Sequence, residues 1–76
     1  MAGWHPLRRR EFVRRLRVLG FSGPYAGTRH EFMVYGKKRQ TVPSNAEFSV
    51  PQVKFLLRQV EAVLGRKIGV EEWEQG

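Results

Sequence analysis

The stretch Gly27-Thr28-Arg29-His30 holds the residue types in this chain best suited to do chemistry. Imidazole is the side-chain type whose unperturbed titration lies near neutral pH, and here one stands directly beside a guanidinium in an arginine-rich chain. That pairing is a minimal metal-free kit for cleaving RNA, because RNA carries its own nucleophile. A base that takes the 2′-hydroxyl proton lets that oxygen attack the adjacent phosphorus, while nearby cations offset the charge growing on the phosphoryl oxygens. DNA lacks the hydroxyl. The other reading of His30 is an ordinary histidine at a strand end.

Most other chemistries lack their parts. The chain has two histidines, no aspartate, no cysteine and no pair of spaced carboxylates, so metal hydrolysis, Ser-His-Asp catalysis and a thiol nucleophile are not expected. No Gly-rich phosphate loop precedes a helix, and neither metal nor cofactor is expected. His5 lies far from His30 in sequence, and a role as its partner acid is not expected. Charge points the same way as the histidine. Fourteen Lys and Arg stand against seven Glu, giving +7, and residues 1–67 alone carry a subtotal of +10 because only Glu11, Glu31, Glu47 and Glu61 fall there. Such a field attracts phosphate polymers in a salt-dependent way, so RNA is the expected partner. The alternative is a basic solvated surface.

Several elements must position these groups. Residues 6–19 read as a helix: Pro6 suits a first turn, Phe12, Leu16 and Leu19 recur at i, i+4 and i+7 with Val13 beside them, and Gly20 is a stop. Arg10, Arg14 and Arg17 line one flank of that stripe, and Arg8 and Arg15 the other. Gly23, Pro24 and Gly27 limit residues 21–28 to a short irregular edge strand and a turn. Residues 30–35 and 39–42 read as a β-hairpin with a basic Gly36-Lys37-Lys38 tip. Its register is open, since Phe32 and Val34 share one face and Met33 and Tyr35 the other. Core packing is the expectation for Phe32, although Tyr25, Phe32 and Tyr35 all have rings able to stack on unpaired bases.

Ser49 followed by Gln52 is a capping-box pattern with Pro51 in the first turn. The helix that follows presents Val53, Leu56, Leu57, Val60, Val63 and Leu64 on one face and ends at Gly65. Phe55 and Ala62 fall off that face; they either pack under the tail, which is the expectation, or serve a partner. Residues 70–74 read as one more helical turn.

The 76 residues, 41% of them hydrophobic, suffice for one domain, with a core over about 6–65 and a short acidic tail at 66–76. The expected fold is α+β: an α-β-β-β-α two-layer sandwich with an antiparallel three-stranded sheet and both helices on one face, the shape of double-stranded-RNA-binding domains. No apolar run approaches the roughly 18 residues that span a bilayer, and no signal peptide is evident. A soluble, cytoplasmic protein without a membrane partner is expected.

Three stretches carry a family resemblance. Arg10-Glu11-Phe12-Val13-Arg14-Arg15-Leu16 continuing to Leu19-Gly20-Phe21, then Gly27-Thr28-Arg29-His30-Glu31-Phe32, then Thr41-Val42-Pro43 resemble the HicA-like toxins of bacterial toxin-antitoxin pairs. Leu57-Arg58-Gln59 and Ile68-Gly69-Val70-Glu71-Glu72-Trp73 look like the closing helix and short tail of that family, so the similarity covers most of the chain. The resemblance implies the double-stranded-RNA-binding-like fold, translation-independent endonucleolytic cleavage of mRNA, and neutralisation by a HicB-like antitoxin. It makes His30 the catalytic residue and Gly27-Thr28 the turn that presents it. After the proline many members have a second histidine and a Gly-Lys-Glu run, where this chain has Ser44-Asn45-Ala46-Glu47.

Around His30, the cations Arg29, Lys37, Lys38 and Arg39 are the expected phosphate ligands, the alternative being a solvated hairpin tip. Arg10, Arg14 and Arg17 either track an RNA backbone, meet an acidic antitoxin surface, or form a plain charged face.

Overall fold

Two periodicities in the sequence, one helical and one alternating, become two layers. In a computed structural model, which describes residues 3–75, the order is β1 (Leu7–Arg8), α1 (Arg9–Val18), β2 (Ser22–Tyr25), β3 (Glu31–Tyr35), β4 (Lys38–Val42), β5 (Glu47–Phe48), α2 (Val50–Leu64) and α3 (Val70–Gln75). The fold is α+β, with a three-stranded antiparallel sheet in the order β2-β3-β4.

Helix α1 starts three residues later than Pro6 predicts. Leu7 and Arg8 are drawn into antiparallel pairing with Phe48 and Glu47, which holds Arg8 extended at φ −70°, ψ 145°. The helix then buries Phe12, Val13 and Leu16, the stripe its spacing predicts.

The hairpin resolves its register in favour of Met33. Met33 pairs with Gln40, and Phe32 pairs with Thr41; Met33, Gln40 and Val42 are buried against the helices while Phe32 and Val34 are only half-buried. The expectation that Phe32 packs in the core is therefore corrected. Only one of the two alternating apolar sets can face the helices, and Val42 extends the Met33 set whereas Arg39 and Thr41 sit opposite the other.

Helix α2 begins as its sequence predicts, with the Ser49 hydroxyl accepting the Gln52 N–H at 3.3 Å. The reciprocal half of the box does not form: the Gln52 side-chain amide instead exchanges two hydrogen bonds with Asn45, at 3.0 and 3.2 Å. At its other end Gly65 takes the left-handed φ of 76°, which suits a residue without Cβ. Val53, Leu56, Leu57 and Val60 are buried.

The tail closes the core from one end. Trp73 of α3 packs its ring 5.7 Å from that of Phe12, which itself meets Phe48 at 5.4 Å edge-on, and the Arg15 guanidinium covers the indole at 5.4 Å. Since Trp73 and Ile68 spend their apolar surface there, Phe55 and Ala62 are left exposed, Phe55 by 60%. The expected packing of these two under the tail is corrected. The fully buried side chains Phe12, Leu16, Met33, Val42, Phe48, Val53 and Val60 come from both layers. Truncating a residue such as Phe12 costs about 3–5 kcal/mol, a large part of the roughly 4–11 kcal/mol available to a chain of this length. Among the described residues, no helix is long and apolar enough to cross a membrane.

Candidate functional site

A close backbone approach builds the site. A Cβ placed on Gly27 would lie 2.3 Å from the His30 carbonyl oxygen, so the turn over residues 27–30 closes only because position 27 has no side chain. The turn delivers His30 to the mouth of β3, with its side chain exposed. Gly27, Thr28, Arg29 and His30 then line a hollow of about 260 Å³ together with Phe32, Arg39 and Thr41. The lining residues thus include two arginines, one histidine and two threonines beside Phe32, and none of them carries a carboxylate.

Strand register explains why Arg39 belongs here. Phe32 lies opposite Thr41, so Arg39 is its diagonal neighbour on the same face. The guanidinium carbon sits 4.5 Å above the centre of the Phe32 ring, and Tyr25 flanks that ring at 5.8 Å from the next strand. A guanidinium over a ring face can still offer N–H groups to a phosphate.

Arg9 latches the open end of the hairpin. Its Nε donates to the Pro43 carbonyl at 2.9 Å, its Nη2 pairs with the carboxylate of Glu31, and its backbone N–H donates to the Ala46 carbonyl at 2.9 Å. One residue of α1 therefore holds both β3, directly after His30, and the segment leaving β4. Sequence reasoning missed Arg9, because nothing in the run Arg8-Arg9-Arg10 distinguishes the member that turns inward.

The sequence-predicted cations separate into groups. Arg29 and Arg39 share the hollow with His30. Lys37 and Lys38 occupy the tip at the other end of the hairpin, about 17 Å away at roughly 3.4 Å per residue. They do not flank His30, and their expected place beside it is corrected: a tip and a mouth of one hairpin are separated by the strand length. Arg10 is exposed on α1. Arg14 is paired with Glu11, and this hydrogen bond is the largest cause holding the Glu11 carboxyl below its ordinary range. Arg17 donates from Nε to the Gly23 carbonyl at 2.9 Å, bracing β2 rather than facing the hollow. His5 lies 3.5 Å from Glu74, with the tail. Among the described residues, no three His, Cys, Asp or Glu side chains converge as metal ligands would.

No family model, curated protein or solved structure matches this chain. Its functional reading therefore rests on the geometry of the hollow.

Proposed function

We propose that this chain is an RNA-cleaving enzyme of the HicA-like kind, an mRNA endonuclease toxin that acts in the cytoplasm and is restrained by a HicB-like antitoxin. The observation that carries the reading is the exposed residue His30 lining the same hollow as Arg29 and Arg39. The α-β-β-β-α order of the principal elements supports a double-stranded-RNA-binding-like arrangement.

In this reading His30 takes the 2′-hydroxyl proton, the 2′-oxygen bonds to phosphorus, and the bond from phosphorus to the 5′-oxygen breaks. Arg29 and Arg39 hold the non-bridging oxygens as charge builds on them. The departing 5′-oxygen takes its proton from water, since no second proton-transfer side chain lines the hollow. The products carry a 2′,3′-cyclic phosphate and a 5′-hydroxyl.

The test is cleavage of an mRNA by purified protein in the presence of a chelator. His30→Ala removes the general base and slows cleavage by about 10²–10⁴-fold, with the circular dichroism spectrum unchanged and growth arrest lost on expression. Cleavage undiminished in that variant refutes the assignment. The presence of a single imidazole in the hollow also favours a second reading, a module that binds RNA without cutting it; tight, salt-sensitive binding with no products from the wild type would select it.

A further inference from the structure

The helices cover one face of the three-stranded sheet, and the other carries Tyr25, Phe32, Val34, Arg39 and Thr41. Phe32 is an unusual residue to leave there. Its ring is held by Tyr25 at 5.8 Å and by Arg39 at 4.5 Å, and a side chain added at Gly27 would reach it, with a Cβ 3.4 Å from Phe32 Cδ1. Two contacts hold one aromatic ring on an open face, and they leave Tyr25 47% exposed and Arg39 exposed.

We propose that Arg39 and Tyr25, seated on Phe32, form a base subsite that takes an unpaired nucleobase next to the ribose-phosphate held at His30. Bases freed from a helix stack on aromatic rings and on guanidinium planes. Arg39 serves both neighbours at once, with its plane under the base and its edge toward the phosphate. A base inside a duplex is already stacked and paired and has no free face to lay on this platform. The substrate class is therefore single-stranded RNA. This inference rests on the RNA-binding reading of the hollow, and not on cleavage.

The experiment uses a short 2′-O-methyl oligouridine containing one 2-aminopurine, which cannot be cleaved because its nucleophile is blocked. Binding is followed by aminopurine fluorescence and by anisotropy for three probes: the intact strand, the same strand with the purine base removed, and the strand annealed to its complement. The wild type quenches the aminopurine and binds the intact strand roughly 5- to 150-fold more tightly than the abasic one, with the duplex weaker still. Arg39→Lys keeps the charge and loses the plane, so it retains the salt dependence and loses the preference for the intact strand. Tyr25→Ala, another exposed change, also loses quenching. Equal binding of all three probes by the wild type, full preference retained in Arg39→Lys, or no RNA binding at all would each overturn the subsite. Because the probes cannot be cut, a wild type that stacks the base but never cleaves mRNA sinks the nuclease reading and leaves the subsite standing.

Discussion

Gly27→Ala tests most directly how the fold presents its histidine. The new Cβ would stand 2.3 Å from the His30 carbonyl oxygen, whereas carbon and oxygen in non-bonded contact sit at about 3.3 Å. The carbonyl must therefore retreat by about 1 Å, and the obstacle is backbone, which cannot rotate aside as a side chain can. Overpacking of this kind costs about 1–3 kcal/mol, and a 1 Å displacement of a reacting group costs about 10²-fold in rate. Gly36→Ala is the matched control. Position 36 has nothing within 4 Å of an added Cβ but sits at φ +61°, so it loses about 1–2 kcal/mol through backbone strain at the far end of the hairpin. Two readouts are needed: initial rates on one RNA, and amide shifts in a two-dimensional NMR spectrum. Gly27→Ala should cleave about 100-fold more slowly, with shift changes concentrated over residues 27–32, while Gly36→Ala loses similar stability and keeps its rate. If Gly27→Ala cleaves like the wild type and the His30 amide has not moved, the close approach is not what positions the imidazole.

Three further outcomes follow from the packing and the charges. Arg9→Ala strips the Pro43 carbonyl of its donor and Glu31 of its cation, so thermal melts should show a loss of about 1.5–3 kcal/mol, or about 4–8 °C per kcal/mol in a domain of this size; an unchanged midpoint would show that the latch carries no stability. Trp73→Ala should cost about 3–5 kcal/mol in urea unfolding, because the residue is 3% exposed and its indole packs against Phe12, and a loss below about 1 kcal/mol would mean that the tail is not part of the core. The Glu72 carboxyl is held below its ordinary value chiefly by its hydrogen bond from Arg66. A depressed folded-state pKa contributes stability above the unfolded value of about 4.3, lost as pH falls through the lower folded value. The gap in melting temperature between wild type and Glu72→Gln should thus narrow as pH is taken below about 4 and as salt is raised. A gap that widens in acid would contradict the sign.

Local rules in this chain were readable where one residue decides the outcome. Ser49 and Gly65 bound α2 as a cap and a left-handed stop should, and the Gly36-Lys37 turn splits the hairpin where expected. What stayed hidden depends on partners distant in the chain. The start of α1 moved because Leu7 and Arg8 found Phe48 and Glu47, forty residues away, and no helical periodicity contains that pairing. Phe32 and Met33 are equally apolar, so the buried face was settled by what lies opposite each on β4. The hollow was half legible: His30 and Arg29 adjoin in sequence, but the place of Arg39 over Phe32 is a diagonal neighbour relation across strands, and the inward turn of Arg9 requires the carbonyl of Pro43.

Gln40 is the buried polar side chain among the described core residues, and its amide donates to Gln59 Oε1 at 2.9 Å and to the Thr41 carbonyl at 3.2 Å. Sliding β4 by a single position would swing this amide out to water and drive Arg39 or Thr41 beneath the helices, where a lone cation finds no counter-ion. The glutamine pair thus acts as a key cut for one alignment of the hairpin. Hydrocarbon in the same place would grip β4 as firmly but tolerate a misthreaded strand, and every misthreading empties the platform beside His30.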